Sequence, residues 1–376
     1  MKLGFILFDY FPFGGLQRDC LNIARLCIRR GHGVTIFART WQGERPGEIQ
    51  VELLGRNGLT NISRNRHYLK QLSELLPRRG LDGVVGFNKI PGVDVYYGAD
   101  PCYAAKIARL KPKWYRWLPR YKHFEKLERG IFQCGRKTEI LLLVPDEIPA
   151  YRQFYRTEPE RFHVLPPGIE RHSLNEPVRI QTRGRVRREH GWSEGENLLL
   201  FVGSGFRTKG LDRAIHALGA LENSLREKTR LVVIGQNPVR EFGLLARRLG
   251  VGDRVQFLGG RHDVPDFLLA ADLLIHPAYS ENTGAVLLEA AASGLPVLAT
   301  ASCGFAFHIT DAKAGIVVPN PFSQEFLNAA LAEMLTSKQR AAWRANGLAY
   351  AASEDLYSCH ERAADIIEET IRAKLK

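Results

Sequence analysis

The chain has 376 residues, 45% of them hydrophobic and 25% charged, which is the composition of an ordinary globular protein with enough length for two cores. Its 53 Lys and Arg residues against 40 Asp and Glu residues give a net charge of +13, which favours anionic partners: phosphates, nucleic acid or an acidic membrane surface. Six scattered cysteines without a Cys-x-x-Cys pair argue against a disulfide framework, and no apolar run is long enough to span a membrane. We therefore expect a cytoplasmic protein that is soluble or peripheral to a membrane.

Predicted strands and helices alternate along the whole chain. The predicted strands are KLGFILF, GVTIFA, DGVVGFN, DVYYGAD and TEILLLV in the first half, and NLLLFVGS, TRLVVIGQ, VQFLGG, DLLIHPA, PVLAT and GIVVP in the second. Continuous apolar strands separated by amphipathic segments indicate parallel sheets that are covered on both faces. The sequence Pro-Pro-Gly at 166–168 separates the two series and is typical of a linker.

The fold class that follows is α/β, with two Rossmann-like, doubly wound domains facing each other across a cleft. We place the first domain at residues 1–167 and the second at residues 168–353, with a C-terminal helix at about 354–376 that packs back on the first domain. In such sheets ligands bind at the C-terminal ends of the strands, so the loops after the strands are the candidate sites.

The first of these loops is FDYFPFGGLQRD, residues 8–19. Gly14 and Gly15 precede a helix that we expect to begin near Leu16, and glycines there let a phosphate or sugar oxygen approach the helix N–H groups. A tight turn into the helix is the alternative explanation. Neither Gly-x-Gly-x-x-Gly nor a P-loop motif occurs in the chain, which argues against a dinucleotide oxidoreductase and a P-loop NTPase.

A second glycine-rich loop, GSGFRTKG at 203–210, carries Arg207 and Lys209 just before a helix. A lysine point charge and a planar arginine beside helix N–H groups would suit a diphosphate. The alternative is a solvated loop with incidental charges.

The segment SENTGAVLLEAAASGLPV, residues 280–297, sets two acids eight positions apart, Glu281 and Glu289. If a helix begins near Thr283, the two lie roughly 9–12 Å apart, the span from a hexose to a ribose across a diphosphate. The alternative is a helix-start acid favoured by the dipole and a surface acid. The apolar neighbours of Glu289 argue against that alternative, because buried carboxylates need partners.

Two acids in the first half are candidates of lower specificity. Asp100 follows the strand DVYYGAD and would accept hydrogen bonds from sugar hydroxyls, with a helix N-cap as the equal alternative. Asp19 on the first helix is expected, from its residue type alone, to be a surface acid.

Residues 103–132 carry nine Lys or Arg residues, two acids and seven aromatics, and their apolar residues recur at helical spacing with kinks expected at Pro112 and Pro119. A basic helix with tryptophans on its apolar stripe suits an anionic membrane surface. The alternative is an aromatic stripe packed on the domain core. Because no nucleic-acid-binding signature accompanies the segment, no nucleic-acid partner is expected.

No metal site is expected, because the histidines are dispersed and neither His-Glu-x-x-His nor Asp-x-Asp occurs. Any bound diphosphate would then be neutralised by Arg, Lys and helix dipoles.

Taken together, these motifs resemble those of the retaining GT-B glycosyltransferases of family 4. The E-x7-E element from Glu281 to Glu289, the GLPVLAT…CG segment after it and the GSGF…KG loop carry the resemblance. Within the family the chain is similar, nearly end to end, to the lipopolysaccharide core glucosyltransferases, through the motifs YFPFGGLQRD, GFNK-x-PG-x-D, AD-x-CY, TEPERF, LPPGI, HPAY and DLYS.

The resemblance implies a retaining enzyme that transfers a hexose, with glucose expected, from a UDP-sugar to a heptose of the lipopolysaccharide inner core through an α-1,3 bond. It also implies a peripheral protein on the cytoplasmic face of the inner membrane and no cofactor. Asn282 and Thr283 stand where the related glucosyltransferases have small apolar residues, so a UDP-N-acetylhexosamine or a galactose-type donor is the alternative. A UDP-sugar epimerase and a non-catalytic membrane scaffold are more distant alternatives.

The same resemblance implies roles for individual residues. Donor contacts are implied for Gly14, Gly15, Arg171, Arg207, Lys209, Arg261, Val264, Asn282, Thr283, Gly284 and Glu289. In that set the phosphates meet the three basic residues 171, 207 and 209, uracil lies near 261 and 264, and the ribose is held by 289. Three acids have the central roles: Glu281 binds the transferred sugar on its O3 and O4 side, while Asp19 and Asp100 lie near the acceptor and the hexose. Asp100 is expected to orient the reactants rather than attack.

Overall fold

The structure of the chain, a computed structural model, describes residues 1–12, 14–55, 57–171 and 176–376. The chain divides into two units, the first formed by Met1–Gly168 with Ser358–Lys376 and the second by Ile169–Tyr357. Each unit is an α/β layer structure built on one parallel sheet.

The sheet of the first unit has seven parallel strands in the spatial order β3-β2-β1-β4-β5-β6-β7. The strands are β1 (Lys2–Tyr10), β2 (Gly33–Trp41), β3 (Gln50–Leu53), β4 (Gly83–Gly86), β5 (Val95–Gly98), β6 (Glu139–Leu142) and β7 (Phe162–Val164). The five strands expected from the sequence are confirmed. The sequence does not predict β3 and β7. These are the two edge strands of the sheet; they are short and partly exposed, and so they lack a continuous apolar run.

Helices cover this sheet. They are α1 (Gly15–Arg29), α2 (Asn61–Leu75), α3 (Tyr103–Leu110), α4 (Pro119–Phe132) and α5 (Ile148–Tyr155). The basic aromatic segment at 103–132 is therefore not one helix. It is α3, a short 3₁₀ turn at Lys113–Trp117 and α4, and the breaks fall at Pro112 and Pro119, where the ring removes a backbone donor.

The sheet of the second unit has six parallel strands in the order β10-β9-β8-β11-β12-β13. All six predicted strands are confirmed: β8 (Asn197–Val202), β9 (Thr229–Ile234), β10 (Val255–Phe257), β11 (Leu273–His276), β12 (Val297–Thr300) and β13 (Gly315–Val318). Its helices are α6 (Glu176–Glu189), α7 (Leu211–Gly219), α8 (Asn223–Arg226), α9 (Arg240–Arg248), α10 (Val264–Ala270), α11 (Ala285–Ala292), α12 (Ala306–Asp311), α13 (Gln324–Thr336) and α14 (Arg340–Ser353).

Alternate residues of the central strands enter two separate cores, one on each face of the sheet. Leu199 and Phe201 of β8 belong to one core, and Leu198 and Leu200 belong to the other. Because side chains of a strand alternate between faces, a strand covered by helices on both sides must be apolar at every position. This explains the continuous apolar runs that predicted the fold.

The last helix, α15 (Cys359–Leu375), belongs to the first unit and packs on α1. It begins at Cys359 rather than near 354, because α14 continues to Ser353 and a short turn follows. A Cβ on Gly83 of β4 would lie 2.3 Å from the Cδ1 atom of Ile371, so the helix approaches the sheet closely at that glycine. Within the described ranges, no helix combines the length and the apolar character needed to cross a membrane.

Candidate functional site

The strand order of the second unit reverses between β8 and β11, the place where doubly wound sheets bind ligands. The loops that follow these two strands, 203–210 and 277–284, touch each other. The Tyr279 N–H donates to the carbonyl of Thr208 at 2.8 Å. Gly210, at φ +75°, packs so closely that a Cβ there would lie 2.0 Å from the carbonyl oxygen of Pro277. The fold therefore brings the two predicted donor loops into contact.

Lys209 crosses its own loop to reach Glu281. A Cβ on Gly203, at φ +130°, would lie 2.7 Å from the Cδ atom of Lys209, so the glycine makes room for the lysine stem. The Lys209 ammonium donates to Oε2 of Glu281, and the two side chains are only 20% and 18% exposed. This pair joins the residue predicted for the diphosphate to the residue predicted for the sugar.

Arg207, the other cation of this loop, has a different partner. Its guanidinium is exposed and forms a two-pronged ion pair with Glu241 of α9, with Nε 2.8 Å from Oε1. The two basic residues of this loop that are predicted to bind phosphate are therefore paired with separate carboxylates.

Glu281 is ionised at any physiological pH. Burial raises the pKa of Glu281, but the His276 ring and the Lys209 ammonium that face the carboxylate outweigh burial and lower the pKa to about 2. The backbone of Glu281 is also fixed: its N–H donates to the carbonyl of Ser302, and its own carbonyl accepts from Gly304, both at 3.1 Å. An anionic, oriented acceptor of hydrogen bonds suits sugar hydroxyls.

The helix after Glu281 begins at Ala285, not near Thr283 as expected. Gly284 takes the left-handed conformation, at φ +81°, and turns the chain before the helix starts. Asn282 and Thr283 are half-buried in this turn, and the carbonyl of Thr283 accepts from Phe305 N–H at 2.8 Å. Asn282 and Thr283, the residues on which the alternative donor depends, thus lie beside Glu281.

Glu289 lies in the middle of α11 and is half-buried. Its neighbours Leu287, Leu288 and Ala290 are fully buried. The expected apolar surroundings are present, while the glutamate itself keeps part of its surface exposed.

Arg261 and Val264 follow β10 at the same end of the sheet. Arg261 forms a bidentate pair with Asp263, at 2.7 and 2.6 Å, and stacks 4.8 Å from the centre of the Phe267 ring. Val264 is the first residue of α10 and packs partly on the core. Arg171 is exposed and stacks 3.9 Å over the Tyr357 ring. The nucleotide and phosphate contacts of Arg261, Val264 and Arg171 stay predictions.

In the first unit, Gly14 is the N-cap of α1 and Gly15 is its first residue. A Cβ on Gly14 would lie 1.9 Å from Oε1 of Gln17, whereas a Cβ on Gly15 would meet nothing. Gly14 is thus required by the Gln17 side chain, which donates to the carbonyl of Asp9 at 2.9 Å. The turn into the helix explains Gly14, while the space beside Gly15 leaves room for a ligand to approach the backbone.

Asp19 is not the surface acid expected from its residue type. Its side chain is mostly buried, accepts from the Tyr97 hydroxyl at 2.9 Å and lies 3.1 Å from Nε2 of His360. The partners come from β5 and α15, which are distant in the sequence, so no local pattern indicates them.

Asp100 is exposed after β5 and is not a helix N-cap. The N-cap of α3 is Cys102, and Glu128 of α4 accepts from the N–H groups of Tyr103 at 2.8 Å and Ala104 at 3.0 Å. The N-cap alternative for Asp100 is therefore wrong. Its carbonyl accepts from the Tyr151 hydroxyl at 3.1 Å, which fixes the backbone and leaves the carboxylate at the surface.

Two buried residues near these sites were not predicted. Glu128 is fully buried and also binds the Lys89 ammonium and the Tyr155 hydroxyl. His276, the last residue of β11, is fully buried beside Glu281. The signals in the sequence were a lysine in GFNKIPGVD, an acid on an apolar helical stripe and a histidine ending an apolar strand. In the described part of the chain, no three His, Cys, Asp or Glu side chains are grouped as metal ligands would be.

Known proteins resemble the chain in sequence and structure. Residues 182–349 match the model of the family "Glycosyl transferases group 1". The chain is 47% identical over 368 residues to the lipopolysaccharide glucosyltransferase WaaG of Escherichia coli strain K12, covering 98% of each. It is 34% identical over 238 residues to a D-inositol 3-phosphate glycosyltransferase of Nocardiopsis dassonvillei, covering 60% of this chain and 53% of that protein.

Solved structures agree with the sequence comparison. The crystal structure of WaaG, a glycosyltransferase involved in lipopolysaccharide biosynthesis, matches with a TM-score of 0.94 and 46% identity over 97% of this chain and 99% of that one. Anabaena HepE in complex with UDP-glucose matches with a TM-score of 0.72 over 99% of this chain and 100% of that one. At 18% identity, HepE shares the fold alone.

Proposed function

Because the chain belongs to the family of the lipopolysaccharide glucosyltransferase WaaG and is thus a GT-B glycosyltransferase, we propose that it transfers a hexose from a UDP-sugar to a heptose of the lipopolysaccharide inner core. The reaction proposed is retaining and forms an α-1,3 bond. WaaG is named as a lipopolysaccharide glucosyltransferase and HepE holds UDP-glucose, which supports glucose and UDP as the parts of the donor.

The Lys209–Glu281 pair is the observation that carries this proposal. It places a cation for a phosphate next to an ionised carboxylate for sugar hydroxyls, at the point where the strand order reverses. A nucleotide sugar has these two groups side by side, since its β-phosphate is bonded to the anomeric carbon of the sugar. The geometry therefore supports a donor that spans both residues.

In the proposed reaction the bond from the anomeric carbon to the β-phosphate oxygen breaks, and a bond from the anomeric carbon to the acceptor oxygen forms on the same face. The acceptor proton moves to the departing phosphate oxygen. Lys209 and Arg207 stabilise the charge that develops on UDP, a role in which pre-positioned charges are the largest catalytic contribution. No metal is needed for this step in our proposal. The acceptor is assigned to the first unit, where Asp100 is exposed and Asp19 is held in place.

The donor sugar is the part of the proposal with a specific second candidate. Asn282 and Thr283 add hydrogen-bonding groups beside Glu281, which would accommodate a 2-acetamido substituent. A panel of UDP-glucose, UDP-galactose and their N-acetylated forms, with truncated lipopolysaccharide as acceptor, decides between them. We expect transfer from UDP-glucose. Turnover of the UDP-sugar without any acceptor would indicate the epimerase instead, and no turnover with any donor would refute the proposal.

We also propose that the middle of the basic aromatic segment contacts an anionic membrane surface, which places the enzyme on the cytoplasmic face of the inner membrane. Trp114 and Trp117 are 58% and 78% exposed, and Leu110 is exposed beside them. Residues at the two ends of the segment, such as Ile107 and Ile131, are buried. The core-packing alternative thus fits the ends, whereas the exposed tryptophans with their cations suit a lipid interface.

A further inference from the structure

His276 has no partner that explains why it is buried. It ends β11 in the middle of the sheet and is fully buried. Its ring stacks on Phe201, with centroids 5.9 Å apart and planes 20° from parallel. Neither ring nitrogen has a hydrogen-bond partner among the residues that the structure describes. Buried polar groups are almost always satisfied, so an unsatisfied imidazole at a ligand-binding edge requires an explanation.

The ring faces an oxygen that another residue already holds. Nε2 of His276 lies 3.7 Å from Oε2 of Glu281, which is too long for a hydrogen bond. The Lys209 ammonium binds that same Oε2 atom. Lysine and histidine therefore face one carboxylate oxygen, and only the lysine bonds to it.

Binding of the proposed donor changes the arrangement of Lys209, His276 and Glu281. A diphosphate carries more negative charge than a carboxylate and competes with Glu281 for Lys209. When Lys209 turns towards the diphosphate, Glu281 remains in a mostly buried position with less of its counter-charge. A buried carboxylate needs another donor to keep its place.

We propose that His276 is a positioning residue: its Nε2–H bonds to Oε2 of Glu281 when Lys209 turns to the diphosphate, and it thereby holds the carboxylate against the sugar. The movement required is small, since the two atoms start 3.7 Å apart. Burial and the nearby Lys209 ammonium lower the pKa of His276, and together they outweigh Glu281, which raises it. The ring is therefore neutral at pH 7 and supplies one N–H. This inference rests on the proposed donor site.

A matched pair of amides tests it. In His276→Gln the side-chain amide reaches the place of Nε2, while in His276→Asn the amide is shorter and replaces only Nδ1. We expect the Gln variant to keep most of the kcat/KM for the UDP-hexose and the Asn variant to lose about 10- to 100-fold, the usual effect of a lost hydrogen bond to a charged group. The inhibition constant of UMP, which lacks the β-phosphate that draws Lys209 away from Glu281, should stay within about twofold in both.

Equal activity of the two variants, or a parallel loss of UMP affinity in the Asn variant, would overturn the proposal, because a merely structural histidine affects both ligands. Imidazole ¹⁵N NMR of the unmodified enzyme provides a readout that does not depend on the folding of a variant. UDP-hexose should shift the Nε2 resonance of His276 to that of a hydrogen-bonded donor, and no shift would also overturn the proposal. Transfer by the unmodified enzyme in the donor panel is measured separately, so a failure of the proposed function is recognised on its own.

Discussion

Replacing Glu281 with alanine is expected to stop transfer without weakening UDP binding. Moving the pKa of Glu281 from 4.5 to about 2 means that its surroundings favour the ionised form by about 3 kcal/mol. That preference belongs to the pair with Lys209 and to the facing His276 ring. A sugar that binds Glu281 through two hydroxyls uses a charge that is already fixed in place.

The size of the effect follows from the hydrogen bonds that the sugar can no longer donate in the alanine variant. A hydrogen bond to a charged group contributes about 1.5–3 kcal/mol, so two hydroxyl groups without their carboxylate correspond to a fall of about 100- to 10,000-fold in kcat/KM for the UDP-hexose. UDP should bind the Glu281→Ala variant as tightly as the unmodified enzyme or more tightly, because the alanine no longer competes for Lys209. Transfer to truncated lipopolysaccharide and calorimetry with UDP measure the two quantities.

Glu241→Ala is the matched control, since it removes the carboxylate that pairs with the other cation of the loop, Arg207, at an exposed position. Exposed pairs contribute little because solvent screens them, so this variant should keep its turnover and change UDP affinity by no more than about fivefold. Near-normal turnover of Glu281→Ala would remove Glu281 from the site. Weaker UDP binding by the same variant would refute the competition for Lys209.

Four further outcomes are expected. Glu289→Ala should weaken UDP about 10- to 100-fold by calorimetry, and 2′,3′-dideoxy-UDP should show no difference between the variant and the unmodified enzyme, since the contact predicted is to the ribose hydroxyls. Neutralising four cations together should weaken binding to anionic vesicles by about 1 kcal/mol per charge in a sedimentation assay, whereas four exposed cations of the second unit should not matter. The test set is Lys111, Lys113, Arg116 and Arg120, and the control set is Arg240, Arg247, Arg248 and Lys338. Glu128→Ala should cost about 3–5 kcal/mol of unfolding free energy, because the Lys89 ammonium is left buried, while Glu125→Ala, which removes the pair with exposed Arg129, should cost less than about 1 kcal/mol. Finally, the stability linked to the lowered pKa of Glu281 is complete above pH 4.5 and is lost as the pH falls towards 2, so the difference in unfolding free energy between the unmodified enzyme and Glu281→Gln should be constant at neutral pH and shrink below pH 4.5.

The sheets were predictable because central strands of a two-sided sheet are apolar at every position, as Leu198 to Phe201 are. Glu281 stands out in the sequence for the opposite reason, because it is an acid beside a mostly apolar segment, and the structure places it next to Lys209 and His276. The start of the next helix was not, because the left-handed turn at Gly284 depends on contacts with the loop around Phe305. Local patterns specify an element, but its ends depend on neighbours distant in the sequence.

The same limit explains the errors in the first unit. Residue type alone predicts a surface position for Asp19, yet His360 and Tyr97, which bury it, are 341 and 78 positions away. Glu128 and Lys89 are 39 positions apart, and no spacing rule connects them. Because Glu128 caps α3, the position that Asp100 would otherwise occupy was already filled by a residue of another helix.

The pairing of Lys209 with Glu281 also has a consequence for which ligand the site prefers. In the proposed site UDP takes Lys209 and leaves Glu281 with His276 as its remaining donor, whereas an intact UDP-hexose offers phosphate to the lysine and hydroxyls to the glutamate. Each ligand must break the same mostly buried pair, so the free-energy cost is common to both, and only the donor offsets both halves of it. The pair thus favours the donor over the UDP product, and in the Glu281→Ala variant that preference should fall because UDP no longer leaves a carboxylate unpaired. A Glu281→Ala variant that binds UDP-hexose and UDP with the unmodified ratio of affinities would contradict the contact between Glu281 and the sugar.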